Sequence, residues 1–168
     1  DPTHLGEFKE SKKFLATLQD YELIGNLIGI NTVKDLNEKV KEGKSKEVIL
    51  MSEAIQEKKI AQLADKIAKR KDTLKMILIA GPSSSSKTTF AKRLGMQLRV
   101  NGLKPVTIGT DDYFVERENT PRDENGDYDF ETIDALDLEL FNDHLTRLIS
   151  GEEVVIPTFD FKNGTKHY

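Results

Sequence analysis

The stretch Ile77–Leu94, "ILIAGPSSSSKTTFAKRL", decides how this 168-residue chain is read. It lies mostly within and after the apolar run Leu74–Ala80, which suits a buried strand, and it passes at once into Gly81, Pro82 and four serines. From Lys87 onward Phe90, Leu94 and Leu98 recur at helical spacing, and Asn101-Gly102 supplies a stop. Pro105–Gly109 reads as a second strand. Strand, loop, helix and strand in about 35 residues make a βαβ unit, whose right-handed crossover sets the strands parallel, as neighbours or near neighbours. The expected class is α/β.

The loop itself meets the pattern G-x-x-x-x-G-K-[ST] at Gly81, Lys87 and Thr88, while its second glycine is Ser86. Such a loop wraps phosphates in backbone N–H groups at a helix N-terminus. The lysine reaches the β and γ phosphates, and the following hydroxyl serves Mg²⁺. The candidate nucleotide-binding set is Gly81, Ser83, Ser84, Ser85, Ser86, Lys87, Thr88 and Thr89, with ATP and Mg²⁺ as the expected cofactors. The alternative, a flexible serine linker, rarely sits between a buried strand and a capped helix. If Ser86 must adopt a positive φ, its Cβ costs about 1 kcal/mol or more and crowds the phosphates. On this reading the sheet is part of a P-loop NTPase-type parallel sheet.

Asp111 and Asp112 follow the second strand at its carboxyl end, where α/β folds place ligands. Asp111, nearer the strand, is the candidate base that accepts or orients a hydroxyl proton, and with Thr88 a candidate metal contact; a turn or helix-cap pair is the alternative. The polar stretch "DDYFVERENTPRDENGDYDFE" is longer than most connections in compact domains. Thr132 or Asp134 is expected to cap a helix presenting Leu138, Phe141, Leu145 and Leu148 and ending at Gly151. Val154–Pro157 follows as a strand. Asn163-Gly164 then reads as a two-residue hairpin turn with both residues at positive φ. Period-two alternation puts Phe159 and Phe161 on one face and Asp160 on the other, and core packing would use such a face equally well.

Residues 1–72 have a different texture and read as a helical N-terminal extension to residues 73–168. Phe8–Leu27 carries apolar residues near the 3.6 spacing, Thr32 is placed to cap a short helix through Val40, and Ser52 to cap the longest helix, which ends in Lys69, Arg70 and Lys71. Lys and Arg against Asp and Glu number 14 and 13 through Asp72, then 11 and 16. Thirteen of those 16 acids lie between Asp111 and Asp143, which disfavours a nucleic-acid partner. The chain has no cysteine, which excludes disulfides and thiolate chemistry; the cytoplasm is the expected compartment. His4, His144 and His167 are too scattered to suggest a metal cluster. No apolar run approaches the roughly 18 residues of a spanning helix, so no membrane partner is expected. The first residue, Asp1, suggests a fragment or processed chain. Oligomeric state, a homo-oligomer included, is left open.

Three blocks in order, "GPSSSSKTTFAKRL", "TDDYFVERENTPRDENGDYDFETIDALDLELF" and "GEEVVIPTFDFKNGTKHY", resemble the uridine kinase and phosphoribulokinase family over about Leu74–Tyr168. The resemblance implies phosphoryl transfer from ATP to the 5′-hydroxyl of a nucleoside, with Asp111 as catalytic base and Lys87 and Thr88 on the phosphates and metal. It further implies that Phe130 and Glu131 hold the ribose, although aspartate is commoner than Glu131 there. Phe159 and Phe161 would enclose the base, with Tyr113 or Phe114 lining the same pocket. The family continues beyond this hairpin into a further strand and an arginine-bearing lid, so turnover by residues 1–168 alone is in question. Two other readings compete: a nucleotide-binding module without turnover, and a kinase of another small alcohol such as pantothenate. A GTP switch would carry a base-reading Asn-Lys-x-Asp stretch, which does not occur.

Overall fold

The computed structural model of the chain describes residues 11–82 and 84–168, so the start of the helix expected from Phe8 and the candidate Ser83 lie outside the described residues. The chain divides into two compact units, one up to Lys59 and one from Ile60 onward, with the division falling inside the third helix.

In the first unit, helix α1 (Lys12–Ile28) is capped by Ser11, whose hydroxyl accepts the Phe14 N–H, and ends on Gly29 in the left-handed region at φ 68. Its apolar residues Phe14, Leu18 and Tyr21 are exposed rather than buried. Helix α2 (Val33–Lys41) begins as its sequence predicts. Thr32 Oγ1 accepts the Asp35 N–H, and Asp35 answers by accepting from Thr32 N, a reciprocal capping box. N–H groups of Asn31 and Thr32 and the Thr32 hydroxyl hold the Asp35 carboxyl below its ordinary range. Helix α3 (Ser45–Ala68) starts a full two turns before Ser52. Ser52 instead sits inside it, donating its hydroxyl to the Val48 carbonyl one turn back, a bond that lets serine occupy a helix interior as well as a cap.

The second unit is organised by helix α4 (Lys87–Val100). Leu94 and Leu98, on its predicted inward stripe, are buried with Ile60 and Ala64 of α3, and Ile67, Ile79, Phe90 and Leu103 pack around them. Each such leucine contributes roughly 1.5–3 kcal/mol by leaving water. Helix α5 (Leu138–Ile149) is capped by Asp137, which accepts the Leu140 N–H. The caps predicted for it are used otherwise. Thr132 instead caps a separate 3-10 turn over Ile133–Ala135, with Asp134 inside that turn.

Among the described residues a parallel sheet is not seen. Leu74–Ala80, Pro105–Gly109 and Val154–Pro157, all expected as strands, carry no strand pairing, and Leu78, Val106 and Val155 are 80%, 61% and 65% exposed. Their apolar composition signals a need for cover but does not specify which neighbour supplies it. Among the described residues the one sheet is an antiparallel hairpin of β1 (Thr158–Asp160) and β2 (Thr165–His167), in register Phe159 opposite Lys166. The fold is thus a largely helical α/β arrangement with one small sheet. No helix among the described residues is long and apolar enough to cross a membrane.

The hairpin turn differs from the expected two-residue form. Residues 161–164 connect the strands, and only Gly164, at φ 70, has a positive φ. Asp160 makes the difference: Oδ1 accepts the Lys162 and Asn163 N–H groups at 2.8 and 3.3 Å, and Oδ2 accepts from Asn163 Nδ2 at 2.6 Å. These bonds, the Asn163 amide first, hold the Asp160 carboxyl below its ordinary range. A group lowered on folding stabilises above its unfolded value and stops doing so as pH falls through the folded one. The turn is therefore expected to loosen only below the ordinary aspartate value of ~3.9. Amide shifts of Lys162 and Asn163 followed by NMR against pH should share that low midpoint, and a midpoint at the ordinary value would refute the assignment.

Candidate functional site

The serine loop is built around strained backbone. Ser84 and Ser86 stand at φ 58 and 64, in the left-handed region that disfavours a Cβ. Ser86 is also the residue before α4, and its side chain caps none of the helix N–H groups. The first turn of α4, which carries exposed Thr88 and Thr89, thus keeps donors unsatisfied by a capping side chain at the positive end of the helix dipole. Lys87 closes the loop, Nζ donating to the carbonyls of Gly81 and Pro82, both at 2.9 Å. A Cβ on Gly81 would lie 2.6 Å from Ser85 Oγ, so a side chain there would turn that hydroxyl aside. Open helix donors and an ammonium held at the loop by its carbonyls together fit a phosphate group.

Because Ser86 carries the expected positive φ, Ser86→Gly should stabilise the protein by about 1 kcal/mol, net of the greater freedom of glycine when unfolded. A thermal melt reads this as a rise of roughly 2–4 °C. A fall in melting temperature would mean that the serine side chain contributes more than its backbone costs.

A second group of candidates comes from one 3-10 turn, Thr110–Tyr113. With three residues per turn, consecutive side chains leave in different directions. Asp111 is exposed. Asp112 is half-buried and its Oδ1 accepts the Phe159 N–H at 3.4 Å, tying the turn to β1. Tyr113 is 1% exposed; its hydroxyl shares a 2.9 Å hydrogen bond with His144 Nδ1, and its ring meets Phe141 edge-on at 5.0 Å. Burial, then the Asp112 charge, pushes its phenol above the ordinary value. Tyr113 is therefore packed beneath α5, apart from the other aromatic candidates.

Phe114, the next residue, is the hub of an aromatic cluster. Its ring lies 5.3 Å from Phe130, 5.7 Å from Phe159 and 5.9 Å from Phe161, all steeply inclined, and Phe159 and Phe161 are 5.1 Å apart. Edge-to-face packing of this kind favours aromatic pairs beyond simple burial. Phe159 is 5% exposed and Phe161 56%, so the cluster runs from core to surface. Glu131 is exposed at its margin, its N–H donated to Asp129 Oδ1.

One member of the neighbourhood, Tyr128, was not singled out from sequence. Tyr128 lies 6.3 Å from Phe130, with the Arg122 guanidinium 4.3 Å above its ring. The signal was available, since "YDF" repeats the period-two aromatic spacing of "FDF". Arg117 donates to the hairpin carbonyls of Phe161 and Lys162. The polar stretch is also ordered internally: Arg122 and Tyr128 bridge across a turn in which Asp123 accepts from the Asn125 and Asp127 amides. Among the described residues no group of three or more His, Asp or Glu is arranged to hold a metal. A magnesium ion bound with phosphates needs fewer, commonly one or two carboxylates.

Residues 76–167 match the model of the phosphoribulokinase / uridine kinase family. The chain belongs to that family. Among curated proteins, it is 33% identical to the uridine kinase of Mycoplasma genitalium over 91 residues, 54% of this chain and 42% of that protein. It is 34% identical to the uridine kinase of Mycoplasma pneumoniae over 97 residues, 56% of this chain and 45% of the relative. With the uridine kinase of Chloroflexus aurantiacus it shares 35% over 86 residues, 51% and 40% of the two chains. The chain thus spans less than half the length of these relatives. No solved structure matches it significantly.

Proposed function

We propose that this chain is the part of a nucleoside kinase that binds ATP and the acceptor, in a reaction that moves the γ-phosphoryl group to a nucleoside 5′-hydroxyl. The observation that carries the reading is the turn Thr110–Tyr113, which leaves Asp111 exposed three residues from Phe114, the hub of the aromatic cluster. Aromatic faces suit a flat heterocycle, and a carboxylate beside them suits its hydroxyl. ATP, bound with Mg²⁺, supplies the transferable phosphoryl group. Gly81, Ser83, Ser84, Ser85, Ser86 and Thr89 would hold phosphates through the loop and the start of α4, Lys87 would place positive charge on them, and Thr88 and Asp111 would face the metal. Asp111 would orient the acceptor hydroxyl and take its proton. Phe114, Phe130, Phe159 and Phe161 would seat the base and Glu131 the ribose, while Tyr113 supports the turn from beneath. On the same reading residues 1–72 are a helical extension and residues 73–168 the first part of the P-loop kinase domain.

The test is ADP release by the intact protein with Mg-ATP and a panel of nucleosides beside pantothenate. Nucleoside-dependent release is expected. Pantothenate phosphorylation with no nucleoside used would replace this reading by the small-alcohol kinase. A binding module without turnover has one observation in its favour, the Lys87 ammonium bonded to its own loop carbonyls. It would be recognised by Mg-ATP binding with no acceptor-dependent ADP.

A further inference from the structure

We propose that Arg117 is the positioning residue that sets the aromatic hairpin, and hence Phe161, at the acceptor site; the inference rests on the reading of that site given above. Phe161 is more than half exposed, so ring packing alone holds it weakly, and its position depends on the backbone of residues 161–164. Arg117 binds that backbone at three points. Its Nη2 donates to the Phe161 carbonyl at 2.6 Å, its Nη1 to the Lys162 carbonyl at 3.2 Å, and its own N–H to the Gly164 carbonyl at 2.9 Å. The approach is close enough that a Cβ on Gly164 would fall 2.6 Å from both Cβ and Nε of Arg117. Glycine at 164 thus serves two ends, a positive φ and room for the arginine.

A forked guanidinium can serve two adjacent carbonyls at once, whereas a lysine ammonium lacks that rigid fork. The other end of the hairpin is fastened separately. Lys166 Nζ lies 2.5 Å from Asp137 Oδ2 at the start of α5. Burial opposes ionisation of that carboxyl, yet the Lys166 and Leu140 hydrogen bonds keep it below its ordinary range. Removing the Arg117 side chain should therefore free the turn while leaving the strands anchored.

Two measurements on the intact protein decide the matter. In hydrogen exchange, Arg117→Met should speed exchange in the segment covering residues 159–164 by about tenfold, with α4 unchanged. In steady-state kinetics it should raise the acceptor KM about tenfold while the KM for Mg-ATP and kcat stay within about twofold. Arg117→Lys should fall between, and Gly164→Ala should reproduce the Met pattern with the arginine still present. Unchanged exchange in Arg117→Met overturns the proposal, as does faster exchange with an unmoved acceptor KM, or an equal rise in both KM values. Failure of the underlying reading looks different: the wild-type protein would release no ADP on adding any nucleoside. The exchange experiment would then decide by itself whether Arg117 holds the turn.

Discussion

Replacing Lys87 by alanine is expected to lower kcat for acceptor phosphorylation by about 10²–10³, the usual loss when one preorganised charge-stabilising donor is removed. The side chain has two jobs that the variant removes together. Its ammonium bonds to the carbonyls of Gly81 and Pro82 and so shapes the loop, and it is the nearest cation in sequence to the uncapped start of α4. Lys87→Arg separates them, because it keeps charge but replaces a compact ammonium by a wider planar group at the two loop carbonyls. Mg-ATP affinity, measured by calorimetry, should fall in the alanine variant. An alanine variant with wild-type kcat and affinity would mean that the serine loop is not the phosphate site.

The second large effect is expected at Asp111. Asp111→Asn should reduce kcat by about 10²–10⁴, since an amide cannot take the acceptor proton, and should change kcat far more than either KM. The neighbouring carboxylate supplies the control. Asp112 accepts the Phe159 amide, so Asp112→Ala should loosen β1, cost about 1 kcal/mol in a denaturant melt and raise the acceptor KM more than it lowers kcat. If the two variants exchanged these patterns, the base would be Asp112 and Asp111 a surface residue.

What was legible in the sequence follows from how local each feature is. The helices were read well where a cap and a stripe coincide, as with Thr32 before α2 and Leu94 and Leu98 in α4, because these are decided within one or two turns. Ser52 misled because a serine that satisfies its hydroxyl on Val48 inside a helix looks, in one dimension, like a serine that starts one. The three apolar runs misled for a different reason. A strand pattern records a need for neighbours, and pairing is settled by residues far away in the chain. At the site, the positive φ of Ser86 was legible from the loop pattern; the family resemblance grouped Phe159 and Phe161 with Tyr113 or Phe114, and gave Phe130 a separate place at the ribose, although its ring packs on Phe114. The inward turn of Tyr113 and the grip of Arg117 were not, because each depends on a partner some 30 or 45 residues away, His144 and the hairpin carbonyls.

The turn at residues 110–113 carries a final consequence, for how this protein can change. Asp111 goes to solvent, Asp112 to the β1 amide, Tyr113 to His144, and Phe114, just beyond, to the aromatic cluster. Four neighbours hold four posts, the first three set apart by the pitch of a 3-10 turn. Substitutions there would each disturb one post. A single inserted or deleted residue would rotate every side chain by about a third of a turn and reassign all four together. In a library of one-residue insertions and deletions, survivors should thus be scarce between Thr110 and Phe114. They should be common a few positions on, around Asn125 and Gly126, where an exposed turn has only its own shape to keep.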